Sequence, residues 1–74
     1  MASDRNHRWV EMQPIGPETV RIELTRYGRL WHGQAARMLD HNRIDRNPLA
    51  TAVGMDFENV RYQVLQSVQQ SLKH

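Results

Sequence analysis

Side chains that could move protons or hold a metal ion are concentrated in one stretch, residues 26–43, with the sequence RYGRLWHGQAARMLDHNR. On a single helix, His32 and His41 would lie on opposite faces, about 13 Å apart along the axis. The chain has no His-x-x-x-His pair and no cysteine, and its three serines have no histidine and carboxylate partners nearby in the sequence. The sequence therefore predicts no enzyme, no metal site and no cofactor.

Length and composition predict one small domain. A chain of 74 residues buries only about 60% of its unfolded surface, so a lone apolar core is marginally stable. Without cysteine for a disulfide or a thiolate zinc site, oligomerisation is the remaining stabiliser, and we expect a homodimer. We expect no signal peptide and no membrane association, because no apolar run is long enough. The expected location is the cytoplasm, where cysteine-free chains are common.

Two strands are predicted in the first third of the chain. Residues 1–7 are polar and are expected to form a disordered tail, followed by one α+β domain over residues 8–74. The segment HRWVEM suits a short strand, and QPIGPE, with two prolines and a glycine, indicates a loop. TVRIELT alternates apolar and polar side chains, which predicts a half-buried strand with Val20, Ile22 and Leu24 on its core face.

Residues 25–32 allow two interpretations. A helix over this segment would place a basic face opposite an apolar one, but each interior glycine would cost about 1 kcal/mol relative to alanine. We favour the second interpretation, a hairpin whose two-residue loop is Tyr27-Gly28 and which places Leu24 opposite Trp31 on the core face. A helix would then run through QAARMLDHN.

Further helix signals follow. Asn47-Pro48 is typical of an N-cap followed by proline at the first helical position, and predicts a short helix that ends before Gly54. Asp56 is the predicted cap of a last helix with apolar side chains at helical spacing. The predicted fold class is α+β, a small antiparallel β-hairpin or three-stranded meander followed by two or three α-helices, with dimerisation through the C-terminal helix.

The composition of the last helix suggests a function. Its non-core side is rich in glutamine and nearly free of charge, and uncharged polar side chains lose their water at lower cost than charged ones. The hypothesis is a non-enzymatic regulatory module that binds a partner protein. The residues assigned to partner binding are Gln63, Gln66, Gln70 and Arg61, which lies inside the apolar stripe.

An alternative hypothesis is a small DNA- or RNA-binding regulator. The formal net charge is only +2, but residues 21–46 hold six arginines against three acids, interleaved with Tyr27 and Trp31. The order of a strand followed by helices, over about residues 19–74, resembles that of ribbon-helix-helix repressors. An additional strand near the N-terminus and a long connection depart from that family's pattern. The arginines assigned to nucleic-acid binding are Arg21, Arg26, Arg29, Arg37 and Arg43.

Overall fold

A computed structural model describes residues 7–72, which form one antiparallel sheet and one helix. The first three strands make a meander, and the far side of its third strand pairs with two further strands. All but one residue of the predicted tail, residues 1–7, lies outside the described part. In chain order the elements are β1 (Arg8–Ile15), β2 (Glu18–Tyr27), β3 (Leu30–Asp40), β4 (Arg43–Ile44), β5 (Ala50–Gly54) and α1 (Phe57–Ser71).

The predicted fold class is wrong after the meander. The three-stranded meander is followed by β4, β5 and a single helix over residues 7–72, whereas the sequence predicts two or three helices. The QAARMLD segment belongs to β3, and the segment after Pro48 forms β5 instead of a short helix. Helix propensities differ by only tenths of a kcal/mol among ordinary residues, so pairing of β3 on both sides outweighs them. The strand–helix order of ribbon-helix-helix repressors is likewise not observed.

Both tight turns of the meander have glycine at their first central position. Gly16 has φ 60° and Gly28 has φ 64°, the left-handed region that type II′ hairpin turns require there. The predicted loop over QPIGPE is therefore wrong in extent, because β1 continues through Pro14 to Ile15 and β2 begins at Glu18, which leaves a two-residue turn.

The second hairpin has a different register from the predicted one. Its loop follows Tyr27, which pairs with Leu30, so that Leu24 lies opposite Gly33 and not opposite Trp31. The observed pairing of β2 with β3 is shifted by two residues from the predicted pairing. Because side chains alternate with a period of two, Leu24 and Trp31 still share the face that the hairpin interpretation gives them.

Helix α1 covers one face of the sheet, and the core lies between them. Asp56 accepts a hydrogen bond from the backbone N of Asn59 at 2.9 Å, which confirms the predicted N-cap and the last helix. The helix lies mainly over β3 and β5, at one side of the sheet. The fully buried side chains are Val20, Ile22, Leu24, Ala35, Val60, Val64 and Val68.

Small residues on β3 and β5 allow the helix to approach the sheet closely. A Cβ added to Gly33 would lie 2.9 Å from Val60 Cγ1 and 2.9 Å from Val64 Cγ2, closer than carbon atoms can pack. On this face, residues 33 and 35 of β3 lie opposite residues 52 and 50 of β5. We call these small residues the helix seat, which consists of Gly33, Ala35, Ala50, Ala52 and Gly54.

Candidate binding surfaces

The sheet face opposite α1 is covered by no element in the described part of the chain. Strand alternation and the cross-strand pairs decide which side chains lie there, because opposite residues point to the same side. We call this surface the open sheet face. It consists of Arg8, Val10, Met12, Pro14, Thr19, Arg21, Glu23, Thr25, Tyr27, Leu30, His32, Gln34, Ala36, Met38, Ile44, Thr51 and Val53.

The open sheet face carries many of the protein's exposed apolar side chains. Among residues 7–72, ten large apolar residues are at least 41% exposed, and six of them belong to this face. A solvated face of an antiparallel sheet ordinarily alternates polar residues outward, so this apolar content is unusual. The six are Val10, Met12, Tyr27, Leu30, Ile44 and Val53.

The charges near the centre of this face are paired with one another. Glu23 accepts hydrogen bonds from Arg8 Nε and, at 3.1 Å, from Arg21 Nη1. Partial burial raises the pKa of the Glu23 carboxyl, but the two arginines outweigh burial and hold that pKa below its ordinary value. The three side chains therefore leave a net charge of only +1 in the middle of the face.

An open depression of about 320 Å³ lies beside this charge group. The rings of Tyr27 and His32 meet edge to face at its rim, with centroids 5.1 Å apart. Its remaining wall is formed by polar and apolar side chains of the central and outer strands, including Thr25, Gln34 and Val53. The depression offers hydrogen-bonding groups and apolar contacts, and the Glu23 carboxylate in its lining is already bonded to two arginines.

The residues that the sequence singles out for acid–base or metal chemistry do not meet. His32 lies near the start of β3, whereas Asp40 ends that strand and His41 follows it. Asp40 accepts hydrogen bonds from the backbone N of Asn42 and from Arg43, and these bonds lower its pKa. Among residues 7–72, no three histidine or carboxylate side chains are grouped as a metal site requires.

Arg61 forms an ion pair within the chain. Its Nε and Nη2 atoms donate to the two carboxylate oxygens of Glu11 on β1, each at 2.9 Å. Trp9 Nε1 donates to one of these oxygens, and Gln13 Nε2 donates to the other. Hydrogen bonding by Arg61 is the main reason that the pKa of Glu11 falls from 4.5 to about 2. The sequence assigns Arg61 to partner binding, whereas in the structure its guanidinium group is bound by Glu11.

The glutamines assigned to partner binding share the exposed side of α1. Gln63, Gln66 and Gln70 are all exposed, and no partner is present to test that assignment. Tyr62, which lies among them and is 60% exposed, is a surface residue that the sequence interpretation missed. Helical spacing from the buried Val60 and Val64 would have placed it there. We call this surface the helix outer face, and it consists of Asn59, Tyr62, Gln63, Gln66, Gln69 and Gln70.

The five arginines of the nucleic-acid hypothesis do not form one surface. Arg21 lies on the open sheet face, whereas Arg37 lies on the helix-covered side with its Nε 3.1 Å from Glu18 Oε1. Arg43 pairs with Asp40 in the turn between β3 and β4, with Nε 3.0 Å from Oδ2. Of these five arginines, the two at the tip of the second hairpin have no carboxylate partner within residues 7–72. They are Arg26 and Arg29.

No helix in the described part of the chain is long and apolar enough to cross a membrane. No protein-family model matches the sequence, and the comparisons with curated proteins and with solved structures likewise give no match. The function of this chain must therefore be inferred from its own surfaces.

Proposed function

We propose that this chain is a non-enzymatic binding module that acts as a homodimer and recognises a partner protein through its open sheet face. The observation that carries the proposal is the exposure of apolar side chains on a sheet face that no other element covers in the described part of the chain. Val10, Met12 and Val53 are 41%, 51% and 55% exposed. Burial of apolar surface on this scale is the usual driving force of protein association.

The electrostatics of the open sheet face favour a protein partner over a polyanion. The interior of a protein interface is depleted of charge, because unpaired charges are costly to remove from water. Here Glu23 is already hydrogen-bonded to two arginines, so the face can be covered without leaving that carboxylate unpaired. The threonines and Gln34 supply hydrogen-bonding groups at the same surface.

The helix outer face is the competing surface for the same function. Its glutamines are uncharged, which keeps the cost of covering them low. Tyr62 is its only large apolar side chain with substantial exposure, whereas the open sheet face has six. Because buried apolar area supplies most of the association energy, the open sheet face is the stronger candidate.

Affinity capture with matched surface variants, in cells that naturally make the protein, tests the proposal. The open-face variant is Val53→Lys, and the helix variant is Tyr62→Lys, which introduces the same charge at a residue of similar exposure. We expect at least one protein to be retained by the unmodified chain and by Tyr62→Lys but lost with Val53→Lys. The reverse pattern would place recognition on the helix outer face, and equal capture by all three chains would contradict both surfaces.

Nucleic-acid binding is a second candidate, and one observation favours it. Arg26 and Arg29, without carboxylate partners in the described residues, flank the exposed Tyr27 at the tip of the second hairpin. Fluorescence anisotropy with labelled duplex and single-stranded oligonucleotides at about 50 and 200 mM salt tests it. Binding that weakens at least tenfold over this range, and that is lost when both arginines are replaced by glutamine, would support this candidate. Unchanged binding in that double variant would exclude the hairpin tip.

A further inference from the structure

We infer that two copies of this chain join through β1, which pairs antiparallel with β1 of the second copy about a two-fold axis at Val10. The inference rests on the proposed homodimer and specifies its interface. It also replaces the C-terminal helix, where the sequence places dimerisation, with the edge of the sheet. The two sheets would then form one continuous ten-stranded sheet.

The direction of the backbone groups in β1 shows which of them remain available. The backbone N of Arg26 donates to the carbonyl oxygen of His7 at 2.9 Å, so His7 directs its peptide groups toward β2. Successive residues of a strand direct these groups to opposite sides. The even-numbered residues of β1 therefore direct theirs to the outer edge, which pairs with no strand in the described part of the chain. These residues are Arg8, Val10, Met12 and Pro14.

The position of Pro14 agrees with this assignment. Proline has no N–H and is tolerated in a sheet where that group would face away from the ladder. Pro14 pairs with Thr19 in the β1–β2 register, and its missing donor is on the outer side. The free edge thus offers three donors and four acceptors, with all three donors between residues 8 and 12.

The opposite edge of the sheet is a weaker candidate. In β5, residues 50, 52 and 54 direct their peptide groups toward β3, which leaves only Thr51 and Val53 directed outward. An edge of two residues supports a much shorter ladder than one of four. Edge strands with long free ladders are the ones that pair with other chains unless they are blocked.

The side chains of β1 are suited to pairing with a second β1. An antiparallel ladder between identical strands has a two-fold axis, so the contact closes into a dimer and does not propagate. Centring this axis on Val10 places Arg8 opposite Met12 and Trp9 opposite Glu11 of the second copy. Centring it on Glu11 would instead place two carboxylates opposite each other, which is unfavourable.

The Val10 register uses every outward donor of β1. Residues 8, 10 and 12 of each copy would pair with residues 12, 10 and 8 of the other, and Pro14 would lie outside the ladder. Trp9, Val10 and Met12, three of the ten exposed large apolar residues, lie in this segment. A five-residue ladder spans only about 17 Å, so the interface is small and we expect a dissociation constant in the micromolar range.

Site-directed cross-linking tests the register, because the chain contains no cysteine. In the inferred dimer the two Val10 Cα atoms would be about 5.5 Å apart, within the range that a disulfide spans. Under mild oxidation Val10→Cys should form a covalent dimer. The matched control is Val53→Cys, which has the same side chain replaced at the other edge and should remain largely monomeric.

Sedimentation velocity across the micromolar range tests the ladder. The unmodified chain should approach twice its 8.7 kDa mass, whereas Met12→Pro, which removes one outward N–H, should sediment as a folded monomer. If Met12→Pro fails to fold by circular dichroism, Val10→Lys serves instead, with Val53→Lys as the control that still dimerises.

The possible results separate this inference from the proposed function. A dimer that persists in Met12→Pro and Val10→Lys, or a disulfide that forms in Val53→Cys and not in Val10→Cys, overturns the β1 interface and leaves the homodimer standing. An unmodified chain that stays monomeric over the whole micromolar range would contradict both the β1 interface and the homodimer. A monomeric chain whose partner capture is abolished by Met12→Pro would overturn the dimer and place β1 in the contact with the partner protein.

Discussion

At the scale of single residues, Glu11 is the side chain that links β1 to the helix. The helix lies mainly over β3 and β5, so β1 is held to α1 chiefly by this carboxylate and by the edge-to-face contact of Trp9 with Phe57, whose centroids are 5.7 Å apart. Four side-chain hydrogen bonds converge on the two oxygens of Glu11. A carboxylate that is half-buried and fully hydrogen-bonded stabilises the fold only while it is ionised.

We predict that Glu11→Gln lowers the free energy of unfolding at neutral pH by about 2 kcal/mol. Folding lowers the pKa of Glu11 from 4.5 to about 2, so its contribution is present above pH 4.5 and is lost as the pH falls toward 2. Urea unfolding at several pH values should show that the difference in the free energy of unfolding between the unmodified chain and Glu11→Gln becomes smaller over that pH range. Glu58→Gln, at an exposed residue of α1, is the control. A difference in unfolding free energy that does not change with pH would contradict this role for Glu11.

At the scale of elements, the helix seat explains why two segments that resemble helices are strands. Alanine favours helix in isolation, but Ala35, Ala50 and Ala52 lie under α1, where a larger side chain would separate the layers. Their alternate spacing, with Gly33 and Gly54, is the strand period of two. The same composition therefore predicts a helix by propensity and a strand by spacing.

We predict that Gly33→Ala destabilises the protein by about 1–3 kcal/mol, because the added methyl group collides with Val60 and Val64. Alanine is better than glycine in a strand by only about 0.5–1 kcal/mol, so the collision should dominate. Thermal unfolding measures the effect. The control is Gln34→Ala on the neighbouring exposed residue, which should change stability little. Equal or greater stability of Gly33→Ala would mean that the helix does not contact the seat closely.

At the scale of the whole molecule, the core is small compared with the apolar surface that stays exposed to solvent. In the described part of the chain, seven apolar side chains are fully buried, none of them aromatic, whereas ten large apolar residues remain at least 41% exposed. Three of the seven buried residues come from α1. A sheet of this kind without its helix would have both faces in water, and no apolar core would remain to hold it together.

We predict that truncation before Phe57 unfolds the chain. Burial of Val60, Val64 and Val68 contributes about 5–9 kcal/mol in total, which is comparable to the whole stability of a small domain, about 5–10 kcal/mol. Far-ultraviolet circular dichroism and the amide dispersion of a proton–nitrogen correlation spectrum measure the loss, with the full chain as reference. A truncated chain that still melts cooperatively would contradict this account of the core.

Elements whose signals are local could be predicted from the sequence. The alternation of β2 and the cap at Asp56 each depend on neighbouring residues, and both occur in the structure. The glycine turn also occurs, but at Gly28-Arg29 and not at the predicted Tyr27-Gly28. The helix signal at Asn47-Pro48 is equally local but is overridden by the pairing of β5 with β3. Helix propensity could not reveal that pairing, because β3, the partner of β5, is some twenty residues away in the chain.

The candidate surfaces were decided by the tertiary structure. Val10 and Val53 are exposed because α1 covers the other face of the sheet. Cross-strand packing places Arg8 and Arg21 beside Glu23. The sequence shows how many arginines and apolar residues the chain has, but not which of them face one another. That arrangement depends on register and layer order, which are set by long-range pairing and by the close contact of the helix with the small residues of its seat.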